Sequence, residues 1–148
     1  MTVDTAARTE IGDLNARFAW ALDLHDWTAL HEILAVNVHY VSVGREFHDA
    51  ESVVESFRAR GTARTTRHGL GNLLLRDEVS GAVEGRGTWH TFASNDRTTH
   101  RVPLFMVADF LDTYRRDASG AWRITERIIV PVFRDDRLAP PSPSGAGR

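Results

Sequence analysis

The chain has 148 residues, 42% hydrophobic and 26% charged, with a formal net charge of -2 and no cysteine. That is the composition of one globular domain; it lacks the ~18-residue apolar run of a membrane span, the positive surplus that nucleic acid attracts, and the thiols of disulfides, thiolate metal sites or cysteine nucleophiles. All 18 basic residues are arginine, so lysine chemistry is excluded as well and proton transfer near neutral pH falls to the 7 histidines.

Residues 1–10 carry acids and small polar residues where a secretory signal has a basic and then an apolar block, which predicts a cytoplasmic protein. Ile11, Leu14, Phe18 and Leu22 recur at helical spacing and predict an amphipathic helix over 9–24, with Asp4 or Thr9 at its start. After a tight corner at Leu24-His25, Asp26 caps a short second helix with Trp27, Leu30, Ile33 and Leu34 on its buried stripe. Residues 36–43 alternate and are rich in β-branched side chains, the pattern of a strand with Val38, Tyr40 and Ser42 on one face and His39, Val41 and Val43 on the other. Val53, Val54 and Phe57 mark a third helix over 49–60, stopped by Gly61.

From Arg67 the period changes to that of strands, over 67–76, 82–94, 102–115 and 121–133. Ser80-Gly81, Asn95-Asp96 and the stretch 117–120 supply turn chemistry between them, so the four strands pair as an antiparallel meander. Helices first and a long sheet afterwards is an α+β arrangement in which helices cover one face of a strongly curved, mainly antiparallel sheet and enclose a pocket. Gly69, Gly71, Gly85 and Gly87 inside strands suit such curvature. The domain is expected to span 1–137, followed over 138–148 by a Pro, Ser and Gly rich tail too polar to repay its ordering entropy, hence disordered.

Asp23 falls near the end of the first helix, on the side of Phe18 and Leu22, where it points inward or hydrogen-bonds local backbone. His68 opens the first meander strand and shares a face with Leu70, Asn72 and Leu74. A histidine in that setting is either a satisfied core residue or a base, and an aspartate reaching one ring nitrogen favours the base by fixing the tautomer. His90 on the next strand faces the same pocket unless the register slips by one residue. Tyr40 offers a phenol. No metal site is expected: His31-Glu32 has no second histidine one turn later, and His25, His31, His39 and His100 fall on different elements. Arg58, Arg60, Arg64 and Arg67 form a basic cluster whose usual fate is solvated pairing with acids.

The helix ending in Asp23, the Asp26-Trp27 pair, the strand Val38-His39-Tyr40, the run Arg64-Thr65-Thr66-Arg67-His68, and the closing hairpin from Tyr114-Arg115-Arg116 to Trp122-Arg123-Ile124 occur in an order that resembles the SnoaL-like branch of the nuclear transport factor 2 superfamily. Within it, the chain is similar to scytalone dehydratase and hexachlorocyclohexane dehydrochlorinase. The resemblance implies a conical α+β barrel around an apolar pocket, no cofactor and no metal. It implies an acid-base pair at Asp23 and His68, a carbonyl-polarising tyrosine at Tyr40 and a second histidine at His90. The dehydratase's second tyrosine falls at Leu22 here, and its serine and asparagine lack equivalents around Ala108. The superfamily also holds polyketide cyclases, epoxide hydrolases and ligand-binding or assembly subunits, which fold alone does not separate.

The expectation is a cofactor-independent lyase or isomerase of dehydratase type, acting on a small apolar cyclic or aromatic molecule. Phe18, Leu22, Asn72, Trp89, Phe105 and Phe110 line its pocket. Neither nucleic acid nor membrane is an expected partner. A homodimer or homotrimer is expected to cover the outer sheet face.

Overall fold

The computed structural model describes residues 2–77, 80–96 and 102–142. Helix α1 (Thr5–Asp23) begins where the Asp4 carboxylate accepts from the Ala7 amide, one turn ahead of the predicted start, and buries Ile11, Leu14, Phe18 and Leu22. Helix α2 (Trp27–Ile33) is capped by Asp26 and runs directly into strand β1 (Leu34–Ser42), leaving no loop between them. A tight turn at Val43-Gly44, both with positive φ, leads into a short strand β2 (Arg45–Phe47) that the sequence pattern does not suggest. Helix α3 (Ala50–Arg58), capped by Asp49, follows and ends before Gly61, whose φ of 85° is the left-handed conformation glycine adopts freely.

The meander comprises β3 (Thr65–Asp77), β4 (Val83–Ser94), β5 (Leu104–Arg116) and β6 (Trp122–Arg134). The six strands form one open sheet in the order β2-β1-β6-β5-β4-β3. Every neighbouring pair is antiparallel except β1 and β6, which run parallel because α3 and the meander carry the chain across the sheet between them. The expected α+β architecture, helices against one face of a mainly antiparallel curved sheet, is therefore present.

Among the register shifts of this sheet, two decide which residues of β3 and β6 face the helices. In β3 the pairing steps from Leu70–Trp89 to Leu73–Gly87, one extra residue on β3, and in β6 it steps from Thr113–Glu126 to Tyr114–Ile124, one extra residue on β6. Because side chains alternate faces every residue, each bulge inverts which residues face the helices. Beyond the first, Leu73 and Leu75 join the core while Leu74 is exposed; beyond the second, Arg127 and Ile129 turn inward after Trp122 and Ile124. Gly85 lets β4 approach Tyr114, whose ring would lie 2.7 Å from a methyl group at that position.

The core sits between α1, α2, α3 and the concave sheet face. It contains a charged pair. Arg127 donates from Nε and Nη2 to the two carboxylate oxygens of Asp112 (2.8 and 2.7 Å), and from Nη2 to Asn15 Oδ1 (2.6 Å). Tyr114 donates to Asp112 (2.6 Å) and accepts from Asn15 (2.9 Å). The Arg127 guanidinium lies 4.4 Å from the Phe18 ring centre and 4.9 Å from that of Phe110. Burial opposes this cation, but the Asp112 charge and hydrogen bonds outweigh it and hold the pKa above the ordinary arginine value. The network ties α1 to β5 and β6, and so sets where the C-terminal end of α1 meets the sheet.

A single 3-10 turn (Asp136–Leu138) brings Leu138 and Ala139 against the core, where their carbonyls accept from Arg64 (3.1 Å) and Asn95 (3.0 Å). Residues 143–148 of the predicted tail lie outside the described residues.

Candidate functional site

Asp23 is the last residue of α1, a poor place for an acid because the helix terminus already carries partial negative charge. Three hydrogen bonds offset that cost. Asp23 Oδ1 accepts from the Thr66 hydroxyl and from His68 Nδ1, both at 2.7 Å, and Oδ2 accepts from the His68 backbone amide at 3.0 Å. The side chains are nearly sealed, 3% exposed for Asp23 and 10% for His68. A carboxylate only accepts, so the Nδ1 of a neutral His68 carries the proton and Nε2 keeps its lone pair. No hydrogen bond to the described residues occupies that Nε2.

The turn after α1 sets this geometry. His25 adopts φ 56°, the amides of His25 and Asp26 bond back to Leu22 and Ala21, and the helix closes in a Schellman arrangement at a non-glycine residue. His25 then stacks on Trp27, with ring centres 5.4 Å apart, and donates from Nε2 to the Arg64 carbonyl at 3.0 Å. The α1 corner is thereby fastened to the segment that delivers Thr66 and His68.

His68 lines a cavity of about 220 Å3 with Phe18, Leu22, Tyr40, Phe105, Phe110 and, directly across the strand pair, Thr91. The phenol oxygen of Tyr40 is buried and makes no hydrogen bond among the described residues. Burial pushes its pKa up to about 12, so it remains a neutral donor. Such an orphaned donor costs on the order of 1–3 kcal/mol, which a ligand oxygen would recover.

The structure thus brings His68 and Tyr40 to one cavity, with Phe18, Leu22, Phe105 and Phe110 on its walls, and places Asp23 behind His68, bordering the groove between α1 and β3. Trp89 is inward but lies behind this wall, stacked on Phe110 at 5.0 Å and edge-on to Phe18 at 5.9 Å, and it borders a separate groove between α1 and β3. Asn72 is outside the cavity: the β3 bulge inverts its face and leaves it exposed. His90 is also outside. It pairs with Gly69, alternates with the inward Trp89 and Thr91, and packs its ring where a Cβ on Gly69 would stand. Asp109, on β5, faces outward and pairs with Arg86 at 2.7 Å, while Arg127 pairs with Asp112, so the two do not form an Asp-Arg pair in the cavity.

Sequence reasoning missed the arginines of the cavity. Arg45, Arg60, Arg64 and Arg134 line it. Arg58 does pair with an acid, Glu55, as the basic cluster was expected to do, but Arg64 is 4% exposed and turns inward. The spacing of Arg60 and Arg64 around the helix-ending Gly61 was the available signal. Residues 139–142 also line the cavity, placed there by the packed chain after β6. The histidines do cluster in one place despite their spread along the sequence: His39, Glu46 and His48 come together on the β1–β2 hairpin, with donor atoms within 4.8 Å of one another, a grouping able to hold an ion. His39 there already uses both ring nitrogens, on Glu126 at 2.8 Å and Glu46 at 2.7 Å. His100 lies outside the described residues. No helix among the described residues is long and apolar enough to cross a membrane.

The fold has many solved counterparts. ActVI-ORFA from Streptomyces coelicolor superposes with a TM-score of 0.78 at 11% identity, covering 86% of this chain and 98% of that one. A scytalone dehydratase-like protein from Novosphingobium aromaticivorans DSM 12444 gives 0.76 at 14% identity, covering 97% and 96%. LinA gives 0.70 at 19% identity, covering 86% and 87%. At these identities the likeness is one of fold, the NTF2-like α+β cone. No curated protein sequence matches the chain. Residues 3–128 match the SnoaL-like domain, and the chain belongs to that family.

Proposed function

We propose that the chain is a cofactor-independent lyase or isomerase of dehydratase type acting on a small cyclic or aromatic substrate. Neutral His68, oriented by Asp23, takes a proton from the carbon next to a carbonyl. The C–H electron pair moves into the C–C bond as the carbonyl π pair moves onto oxygen, and Tyr40 donates a hydrogen bond to that oxygen. If a hydroxyl stands on the β carbon, the enolate expels it, the protonated His68 Nε2 supplies the proton, and water and an enone leave. If a β,γ double bond stands there instead, the anion is a dienolate, and return of the proton from His68 Nε2 to the γ carbon moves the double bond into conjugation with the re-formed carbonyl and completes an isomerisation.

What supports this reading is the sealed Asp23–His68 pair, whose Nε2 has no partner among the described residues, beside a largely aromatic and aliphatic cavity wall that also carries the Tyr40 hydroxyl, likewise without a partner among them. Likeness in fold to a scytalone dehydratase-like protein agrees with it. Strand β6 leaves Val130, Val132 and Phe133 exposed on the sheet, and we propose that a second copy covers them.

The test is a screen of aromatic and terpenoid hydroxy-ketones, following water loss by ultraviolet absorbance and solvent deuterium uptake next to the carbonyl by NMR. Asp23→Asn and His68→Gln, folded by circular dichroism, are expected to lose about 10²-fold or more in rate. Full turnover in both variants removes the catalytic reading and leaves a ligand-binding cone.

A further inference from the structure

Among the described residues, the cavity lining contains four arginines and no aspartate or glutamate, within a chain whose net charge is -2. Among the described residues, Arg134 alone of the four has a carboxylate partner, Asp136 at 2.9 Å. Arg64 is buried. Its Nη1 reaches two neutral acceptors, Asn95 Oδ1 at 2.6 Å and the Leu138 carbonyl at 3.1 Å, and its Nε has no partner among the described residues. Arg60 makes no ion pair with a described residue and packs its guanidinium 4.2 Å from the Phe57 ring centre. Arg45 lies over Phe47 at 4.9 Å, likewise without an ion pair among the described residues. Arg60, Arg64, Thr66 and His68 also share a smaller hollow beside the main cavity.

Cations removed from water without a counter-ion are costly unless something neutralises them. The electrostatics agree: burial, and then the neighbouring Arg60 charge, lower the Arg64 pKa to about 10, while burial and Arg45 lower that of Arg60. Both remain cations at neutral pH, crowded against each other. Most of the remaining lining is aromatic and aliphatic, with Ser42, Ser56, Thr66, His68, Thr91 and Ser142 as its polar members, which suits a ring skeleton rather than a bare inorganic anion.

We propose that the natural ligand of this cavity is a one- or two-ring organic acid whose carboxylate is held by Arg60 and Arg64, with its ring against the apolar wall that Phe18, Phe105 and Phe110 form beside His68. Arginine suits this role because its planar fork matches the two oxygens of a carboxylate. The proposal narrows the substrate class of the function proposed above and rests on the same cavity, but its test reads binding, not turnover.

Isothermal titration with 2-naphthoate and with its neutral isostere 2-naphthamide compares the two ligands on the wild type, Arg60→Gln, Arg60→Lys and Asp23→Asn. The wild type is expected to prefer the carboxylate by about tenfold or more. Arg60→Gln is expected to cut that preference to about threefold or less, whereas Arg60→Lys, which keeps the charge and loses the planar fork, is expected to fall between the wild type and Arg60→Gln. Equal affinity for the two ligands in the wild type overturns the anion site without reference to any variant, as does failure of both to bind below ~1 mM. An undiminished preference in folded Arg60→Gln also overturns it. Asp23→Asn is expected to keep the preference; a carboxylate preference in a protein that never turns over any substrate would remove the lyase and leave the anion site standing.

Discussion

Replacing Asp23 by Asn tests the site most directly, because all three of its hydrogen bonds are received by carboxylate oxygens. Oδ1 takes the Thr66 hydroxyl and His68 Nδ1–H, and Oδ2 takes the His68 amide. An amide offers only one accepting oxygen. In one orientation its NH2 meets the His68 backbone N–H, leaving two donors face to face. In the other it donates to Nδ1, which drives the imidazole proton to Nε2 and removes the lone pair facing the cavity. An unsatisfied buried donor costs on the order of 1–3 kcal/mol, which for a chain of this size lowers the melting temperature by roughly 2–12 °C. The rate should fall by about 10²- to 10⁴-fold, the usual worth of a positioned base. Two-dimensional 1H–15N spectra of the histidine rings read the tautomer directly and need no substrate. The wild type should show protonated Nδ1 and bare Nε2 for neutral His68, and Asp23→Asn should shift that balance. A wild-type ring already protonated at Nε2 when neutral, or a variant with unchanged ring nitrogens, refutes the argument that Asp23 sets the base.

Asp112→Asn should destabilise the fold by about 3–5 kcal/mol, because Arg127 stays buried without its counter-charge; chemical denaturation measures it, and a loss under ~1 kcal/mol would mean that water reaches the pair. The two tyrosines provide an alkaline check, since burial first, aided for Tyr114 by the Asp112 charge, raises both above the ordinary value of 10.0. Their raised pKa values add stability that is whole below the unfolded value and disappears as pH climbs through the folded one. Ultraviolet titration should therefore show no tyrosinate at about pH 11 while the protein stays folded, and a phenol ionising near its ordinary value would place Tyr40 in solvent. His39 has a pKa raised from 6.5 by its hydrogen bonds to Glu126 and Glu46. Its stabilising effect is accordingly complete below that unfolded value and lost as pH rises past the raised one. Melting curves of the wild type and His39→Gln should differ most near pH ~6 and converge toward pH ~8.5; a gap that widens with pH contradicts the pairing.

Local pattern carried much of this molecule. The apolar spacing of Ile11, Leu14, Phe18 and Leu22, the capping aspartates at 4, 26 and 49, and the alternation of the four long strands are short-range properties that a chain expresses wherever it folds. Asp23 and His68 were both nameable from sequence because each lies at the edge of such an element. Their contact across 45 residues came from resemblance to a family, since nothing in the periodicity measures that distance.

The rest depended on pairing between strands. Whether Asn72 or Leu73 faces the core, and whether Arg127 points inward, depends on a single extra residue in β3 or β6, and that residue is stabilised by the partner strand rather than by its own neighbours in the chain. The same holds for His90, whose face follows from its pairing with Gly69. Composition alone suggests a disordered tail over 138–148 and a surface cation at Arg64; Arg64 is buried instead, because polarity is read residue by residue while burial is decided by what packs on top. Sequence determined which elements exist and what chemistry they carry; the tertiary structure decided which side chains share the cavity, because facing is a property of pairs of strands and of the helix laid across them.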